Sequence, residues 1–456
     1  MNFETIHPAT GEFQRAYDLT ESSEIEALLD RATQAQAEWR ERPARHRAQI
    51  LRPVAERLRK DADEFAHQMT LEMGKPLREA RAEVEKCAWV CEFYAEHGPG
   101  FLEDEPVSTE ARQSYVAYRP LGLILAIMPW NFPFWQVFRF LAPALVAGNG
   151  ALLKHAPNVP GCAEAIEQLF QNTGRLPEGL FRNLRVPVDA VADLLADPRI
   201  HAATLTGSTR AGRAVAEGAG RNLKKVVLEL GGSDPYLILE DADLDRAVDL
   251  CLTSRLLNSG QSCIAAKRFL VVDSVREEFE QRFVEGMAQR KMGDPFDETT
   301  QVGPMARQDL RDALHRQVEA SVAAGARCLL GGQIPEGPGF FYPPTVLTDV
   351  APGMPAYDEE LFGPVASVIP VADEEEAVRI ANDTVYGLGA AVFTRDLERG
   401  QRLAERLEAG CCFVNDFVKS DPRLPFGGIK ASGYGRELSH HGLLEFVNAK
   451  TVWIQG

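Results

Sequence analysis

Between residues 121 and 230, short apolar runs alternate with stretches of helical periodicity. Leu121-Gly122-Leu123-Ile124-Leu125-Ala126-Ile127 reads as a buried strand, closed by Pro129-Trp130-Asn131-Phe132-Pro133. Gly150-Ala151-Leu152-Leu153-Lys154, Ala202-Ala203-Thr204-Leu205-Thr206 and Lys225-Val226-Val227-Leu228-Glu229-Leu230 repeat the theme, with helices expected near 161–173 and 210–219. Strands apolar on both faces and joined by helices form a parallel sheet covered on each side. The fold class is therefore α/β. After Gly231-Gly232 the pattern restarts, with Asp241-Ala242-Asp243 placed to cap a helix, and a second α/β block runs to about 424.

The flanks read differently. The first hundred residues look helical: Ser23 and Glu26 have capping-box spacing, a second helix carries Ile50 to Met69, and a third spans about 77–96. Gln113 to Tyr118 alternates like a strand, and Glu445 to Ile454 is strand-like with no partner in its own segment.

Composition excludes several classes. A net charge of −17 over 456 residues argues against a nucleic-acid surface, which needs clustered Lys and Arg. No apolar run approaches the ~18 residues of a membrane span, and Met1-Asn2-Phe3-Glu4 has no signal-peptide character. The eight cysteines form no C-x-x-C pair and no zinc-spaced cluster, so no metal is expected and the compartment reads as reducing and cytoplasmic.

Several residues could carry chemistry, each with a plainer alternative. Cys263 follows a glycine-containing turn and precedes an apolar strand, where a thiol is either a nucleophile or a small hydrophobe. Thr206-Gly207-Ser208 closes a strand and opens a helix, which suits an anion such as a pyrophosphate, or is an ordinary βα turn with a Ser cap. Glu229, at a strand end before two glycines, is either a buried general base or a solvated carboxylate. The Asn131 amide is pinned between prolines and aromatics, as an oxyanion donor or a turn residue. Lys154 could reach a ribose or phosphate, or lie in solvent.

Taken together, Pro-Trp-Asn-Phe-Pro at 129–133, Leu205-Thr206-Gly207-Ser208, Leu228-Glu229-Leu230-Gly231-Gly232, Gly260-Gln261-Ser262-Cys263, Glu360-Leu361-Phe362-Gly363-Pro364 and Pro425-Phe426-Gly427-Gly428 resemble the aldehyde dehydrogenase superfamily over essentially the whole chain. Lys154-His155-Ala156-Pro157-Asn158 and the Gly-Arg-Glu-Leu-Ser-His run at 435–440 look most like its short succinate-semialdehyde dehydrogenases. The resemblance implies that Cys263 attacks an aldehyde, that Asn131 stabilises the oxyanion, and that Glu229 activates the water releasing a carboxylic acid. It implies NAD or NADP as cofactor, contacted by Trp130, Lys154, Pro157, Gly207, Ser208, Leu230, Glu360 and Phe362, without a preference between the two. Pro157 stands where NAD-preferring members often carry Glu, so a 2′-phosphate should be tolerated.

For the substrate, Arg139 matches an arginine of the succinate-semialdehyde enzymes, the alternative being a helix-surface residue. Leu257 stands where a second arginine is often found, and Ser420 could supply a hydroxyl instead. Other aldehydes (glutarate semialdehyde, medium-chain or aromatic) and a non-catalytic cofactor-binding role are the competing readings. A second cysteine two residues from the nucleophile, a switch in some members, is Ala265 here, and Cys411-Cys412 read as core. The expected organisation is a Rossmann-type dinucleotide-binding domain over 1–100 and 121–229, a catalytic domain over 230–424, and a β-ribbon oligomerisation element from 101–120 and 425–456, giving a homodimer or homotetramer.

Overall fold

The structure is a computed structural model that describes residues 2–173 and 176–456. Two large sheets dominate. The first has six strands in the order Gly433–Tyr434, Lys225–Glu229, Ile200–Thr206, Leu123–Met128, Gly150–His155 and Phe181–Asn183, all parallel except the first. The chain enters at the centre with Leu123–Met128, winds outward to Phe181–Asn183, then returns to the other side of its starting strand. In open parallel sheets the crevice at such a reversal, outside the strands' carboxyl ends, is where ligands bind. Here it lies between the ends of Leu123–Met128 and Ile200–Thr206.

Alternate residues of each strand feed different cores, as the two-residue period of a strand requires. Ile124, Ala126 and Leu153 pack with the helical segments between 44 and 97, while Leu123, Leu125 and Leu152 pack on the opposite face, where Leu28, Leu29 and Ala32 join them. The helix Trp135–Ala147 is buried at every position. A helix apolar nearly all round must be interior, and this one lies against the sheet and the Leu77–His97 helix.

The chain leaves the first sheet at Glu229 and enters the second at Asp234. The second sheet has seven strands: Arg327–Leu330, Thr345–Thr348, Val365–Val371, Ala266–Val272, Asp234–Ile238, Gly389–Phe393 and Cys411–Val414. Only its first strand is antiparallel. A third sheet joins segments far apart in sequence: Val447–Ile454 pairs antiparallel with Gln113–Pro120, which also pairs with Glu105–Pro106.

Several expectations need correction. Residues Asn2–Ile6 and Phe13–Asp18 form an antiparallel hairpin ahead of the first helix; their mostly exposed pattern has no apolar alternation to announce it. The helix Ser22–Arg40 takes Glu21 as its N-cap, so Ser23 lies inside the helix and its capping box with Glu26 does not form. The expected second helix is two, Leu51–Lys60 and Ala62–Met73, preceded by a short helix Ala44–Ala48, and the last is ended by Gly74 in the left-handed region. Of 425–456, Val447–Ile454 lies in the third sheet, whereas Gly433–Tyr434 extends the first.

Candidate active site

The Cys263 loop is held from all sides. Asn258 and Ser259 both adopt left-handed backbone angles, with φ of 55° and 53°, and Gly260 follows at 74°. Non-glycine residues there are strained by about 1–3 kcal/mol each unless their surroundings hold them. Those surroundings are polar and specific. Asn258 Nδ2 donates to the Asn131 carbonyl at 2.7 Å, its backbone N–H donates to Glu79 at 2.6 Å, and Ser259 Oγ accepts from the Gly303 N–H at 2.8 Å. A Cβ on Gly260 would lie 2.3 Å from the Gly363 carbonyl oxygen, so the Gly-Gln-Ser-Cys and Glu-Leu-Phe-Gly-Pro segments meet backbone to backbone. Buried Lys267 donates to the carbonyls of Ser262, Cys263 and Ala265 at 3.0, 2.8 and 3.3 Å.

Cys263 itself is half-buried. Burial pushes its thiol up to about 12, against the pull of Arg139 and Lys267, so the resting group is a neutral thiol. Asn131 is buried beside it, and its Nδ2 donates one hydrogen to the Gln261 carbonyl at 3.1 Å. An amide nitrogen carries two hydrogens, leaving one for another acceptor. Glu229 ends its strand inside the protein, not in solvent. Both its oxygens are buried without a hydrogen-bond partner, and burial raises its pKa well above the carboxylate range, opposed by Arg139. Gly427 makes room for it: a Cβ there would meet Glu229 Oε1 at 2.6 Å.

Arg139 is not on a helix surface. It is buried, ion-paired with Glu437, and donates to Thr206 Oγ1 at 3.2 Å. Glu437 belongs to the 435–440 run, which the sequence flagged without assigning this residue. Arg139, Cys263 and Ser420 all line one cavity of about 170 Å3, walled by Phe132, Trp135, Leu257, Phe417 and Phe426.

The remaining candidates surround the crevice at the strand ends. Ser208 caps the helix Thr209–Arg221, its Oγ accepting from the Ala211 N–H at 3.3 Å. Gly207 leaves the mouth open, since a Cβ there meets nothing closer than a Leu205 methyl at 3.6 Å, and Gly212 lets the helix seat on Leu230, where a Cβ would clash at 2.5 Å. Lys154 is buried, with Nζ on the His155 carbonyl at 3.2 Å; burial lowers its pKa. His155, held down to about 4 by burial, is neutral; its Nδ1 accepts from the Ala156 N–H, so Nε2 donates to the Pro133 carbonyl at 2.9 Å. That bond ties the Lys154 strand to the Asn131 loop. Glu360 accepts from the Gly232 N–H at 3.0 Å, and the Trp130 and Phe362 rings meet edge-on with centroids 5.9 Å apart. Pro157 is exposed at a separate open groove of about 770 Å3, beside Asn158 and Arg307.

The crevice suits a dinucleotide. It offers an open glycine mouth, the N-terminus of a three-turn helix for phosphate, and the Trp130–Phe362 aromatic pair. Among the described residues no group of three or more His, Cys, Asp or Glu could hold a metal ion.

Sequence reading missed the contribution of the Leu77–His97 helix. Glu79, Glu83 and Lys86 lie on one of its faces and reach the cavity. Glu83 accepts from the Phe134 and Trp135 N–H groups, both at 2.9 Å, capping the Trp135–Ala147 helix, and is ion-paired with buried Lys75. Lys86 Nζ donates to Ser420 Oγ at 2.7 Å. At i, i+4 and i+7 these charges read as a solvated stripe; only an acidic residue beside apolar neighbours hinted otherwise.

Comparison with known proteins gives a consistent picture. The model of the aldehyde dehydrogenase family matches residues 1–452. A Synechocystis protein named probable succinate-semialdehyde dehydrogenase (NADP+) is 53% identical over the full length of both chains. An Escherichia coli K12 succinate semialdehyde dehydrogenase, NAD(P)+-dependent by name, is 51% identical over 98% of this chain and 97% of its own. Among solved structures, succinic semialdehyde dehydrogenase of Streptococcus pyogenes in complex with NADP+ superposes over 100% of both chains with a TM-score of 0.97 at 38% identity.

Proposed function

The chain belongs to the aldehyde dehydrogenase family, and within it we propose that this protein oxidises succinate semialdehyde to the dicarboxylic acid with NAD(P)+. One observation carries the substrate reading: the cavity against Cys263 is small, about 170 Å3, apolar along its walls, and lined by the cationic side chains of Arg139, Lys86 and Lys419 beside Glu79 and Glu83, with the Ser420 hydroxyl. Pockets for drug-sized ligands run to about 300–1,000 Å3. A short aldehyde with a distal negative charge fits this shape and charge better than a long or aromatic one.

Cys263 is the nucleophile. Its thiol loses a proton as it adds to the aldehyde carbon, giving a thiohemiacetal whose oxyanion is met by the free Asn131 amide hydrogen and the Cys263 N–H. One such donor is worth about 10²–10³ in rate. Glu360 and Glu229 both press the thiol pKa upward through space, and Glu229, the base of the later hydrolysis, is the proposed acceptor of that proton. Nicotinamide, when bound, accepts the hydride. The residue left on Cys263 is a thioester, and Glu229 takes a proton from the water that hydrolyses it. Arg139 favours the charged forms of both Cys263 and Glu229. Ser208 and Gly207 receive the pyrophosphate, Lys154 the adenosine ribose and Glu360 the nicotinamide ribose, with Leu230, Trp130 and Phe362 framing the ring and Pro157 leaving a 2′-phosphate unopposed.

We further propose a homodimer or homotetramer in the cytoplasm. Val447–Ile454 is an outer strand of its sheet, with Trp453 47% and Ile454 40% exposed, an apolar edge that a second copy would cover. Sedimentation of wild type against a Trp453→Lys, Ile454→Lys double variant tests this; a wild-type monomer would sink it. For the activity, kcat/KM is measured with succinate semialdehyde, glutarate semialdehyde, hexanal and benzaldehyde, each with NAD+ and NADP+. The four-carbon semialdehyde should lead, and a lead for hexanal or benzaldehyde would overturn the substrate reading.

A further inference from the structure

A buried cation holds the backbone on both sides of the nucleophile. Lys267, on the strand Ala266–Val272, has 1% of its side chain exposed. Its Nζ donates to the carbonyls of Ser262, Cys263 and Ala265. A neutral amine has two hydrogens, so three acceptors are the set of an ammonium, which has three. Glu360 balances the charge, with Oε1 3.5 Å away, and Asp234 and Cys263 also favour the charged form against burial and the nearby Arg255. Two other buried cations of this region serve different backbone. Arg255 donates to the Gly260 and Ala266 carbonyls, and Arg268 to those of Ser233, Ile380 and Ala381. Of the three, Lys267 is the one that reaches the peptide groups flanking Cys263.

The Ser262 carbonyl belongs to the same peptide group as the Cys263 N–H. That group is planar and trans, so its C=O and N–H point in opposite directions. Whatever fixes the carbonyl therefore aims the N–H. The Ser262 carbonyl accepts from Lys267 at 3.0 Å and from the Ala265 N–H at 3.2 Å. The Cys263 N–H at the other end has no hydrogen-bond partner among the described residues. Hydrogen bonds in series polarise one another, and one made by a charged donor does so most.

We propose that Lys267 is a positioning residue of the oxyanion hole: through the Ser262 carbonyl it orients and polarises the Ser262–Cys263 peptide, so that the Cys263 N–H faces the charge developing on the aldehyde oxygen. The inference rests on Cys263 being the nucleophile, and it assigns the aim of the backbone donor to a side chain behind the loop. When sulfur bonds to the aldehyde carbon, the C=O π pair moves onto oxygen and the thiol proton goes to Glu229. The Asn131 amide meets that oxygen from one side and the Cys263 N–H from another.

Lys267 also favours the Cys263 thiolate, as Arg139 does more strongly, while burial, Glu360 and Glu229 oppose it. A slower enzyme alone would not separate that charge effect from orientation. Two reactions of the same sulfur do. Aldehyde addition puts negative charge on oxygen. Alkylation by iodoacetamide sends it to the departing iodide and needs no oxyanion hole. Both consume the same thiolate, so the ratio of kcat/KM for succinate semialdehyde to the rate constant for Cys263 alkylation cancels the ionisation of the thiol. Both are measured on full-length enzyme at one pH with saturating NADP+, alkylation being followed by mass at Cys263. Lys267→Met should lower the ratio about 10- to 100-fold, less than the 10²–10³ of removing an oxyanion donor outright, because the N–H stays but is no longer aimed. Lys267→Gln keeps N–H donors without the charge and should lower it by about 3- to 10-fold; it serves alone if the methionine variant does not fold. A ratio equal to that of the wild type in a folded variant would overturn the proposal, since turnover and alkylation falling together report thiol charge or loop order only. The wild type separates the two readings. If turnover survives complete alkylation of Cys263, the nucleophile assignment falls and the proposal with it. If alkylation abolishes turnover and the variants keep the wild-type ratio, only the role of Lys267 is removed.

Discussion

The Arg139 guanidinium and the Glu437 carboxylate form an ion pair sealed inside the protein, both side chains under 5% exposed. Arg139 lines the cavity against Cys263, and the pair acts on Glu229, whose pKa burial raises, Arg139 lowers and Glu437 raises. From there Arg139 also favours the charged forms of Cys263 and Glu229.

Breaking that pair should therefore be costly in a way that removing it is not. Arg139→Met leaves Glu437 buried without its partner and should destabilise the fold by about 3–5 kcal/mol. The Arg139→Met, Glu437→Leu double variant should regain most of that loss. Denaturant midpoints of the three proteins check this, and strictly additive losses would show that the two side chains do not interact.

On activity, Arg139→Met should slow succinate semialdehyde and butanal alike, because Glu229 and Cys263 both lose a favourable charge. Steady-state kcat for both aldehydes is the readout. A loss confined to the semialdehyde would return Arg139 to direct carboxylate binding.

Glu229→Gln keeps the shape and removes the base. Hydrolysis of the thioester should fall by about 10²–10⁴ while the steps before it survive in part. A rapid burst of reduced cofactor approaching one per site, followed by slow turnover, is the expected trace, with the acyl group on Cys263 visible by intact-mass measurement. Unburdened steady turnover would exclude Glu229 from this step.

Burial raises the pKa values of both Cys263 and Glu229. Each is needed in its charged form, so the sign is the same for both, and activity should climb as pH rises from 6 to 9. Alkylation of Cys263 by iodoacetamide in the free enzyme should rise in parallel. A labelling rate already at its plateau at pH 6 would mean a thiolate at rest and contradict the resting state described above.

Pro157 bears on the cofactor. Pro157→Glu places a carboxylate in the open groove beside Asn158 and Arg307; if the proposed 2′-phosphate approaches there, like charges should weaken NADP+ at least ~10-fold relative to NAD+. Fluorescence titration of each cofactor gives the ratio directly, and equal weakening of both would place the phosphate elsewhere.

Much of the arrangement was legible before any coordinates. Asn131, Lys154, Ser208 and Glu229 could be placed at or just beyond the carboxyl ends of strands because apolar runs and the turns after them are local features of sequence. The alternation of strand and helix implied the parallel sheet, and a parallel sheet gathers its strand ends along one edge, which is why four separated motifs face one crevice. The strand-like tail was visible too, although its partner, Gln113–Pro120, was not.

What the sequence by itself determined was the set of elements, the fold class and the reactive side chains at the strand ends, since each depends on periodicity and turns within a few neighbours. Tertiary structure alone decided who is buried and who is paired. Lys86 and Ser420 are 334 residues apart and share a hydrogen bond; Arg139 finds its carboxylate at Glu437; Glu83 caps a helix 51 residues later. A charged residue at helical spacing looks the same in sequence whether its face meets water or a cavity. The free energy of a buried charge depends on the counter-charge and the packing brought to it in space, and those come from segments that local pattern cannot relate.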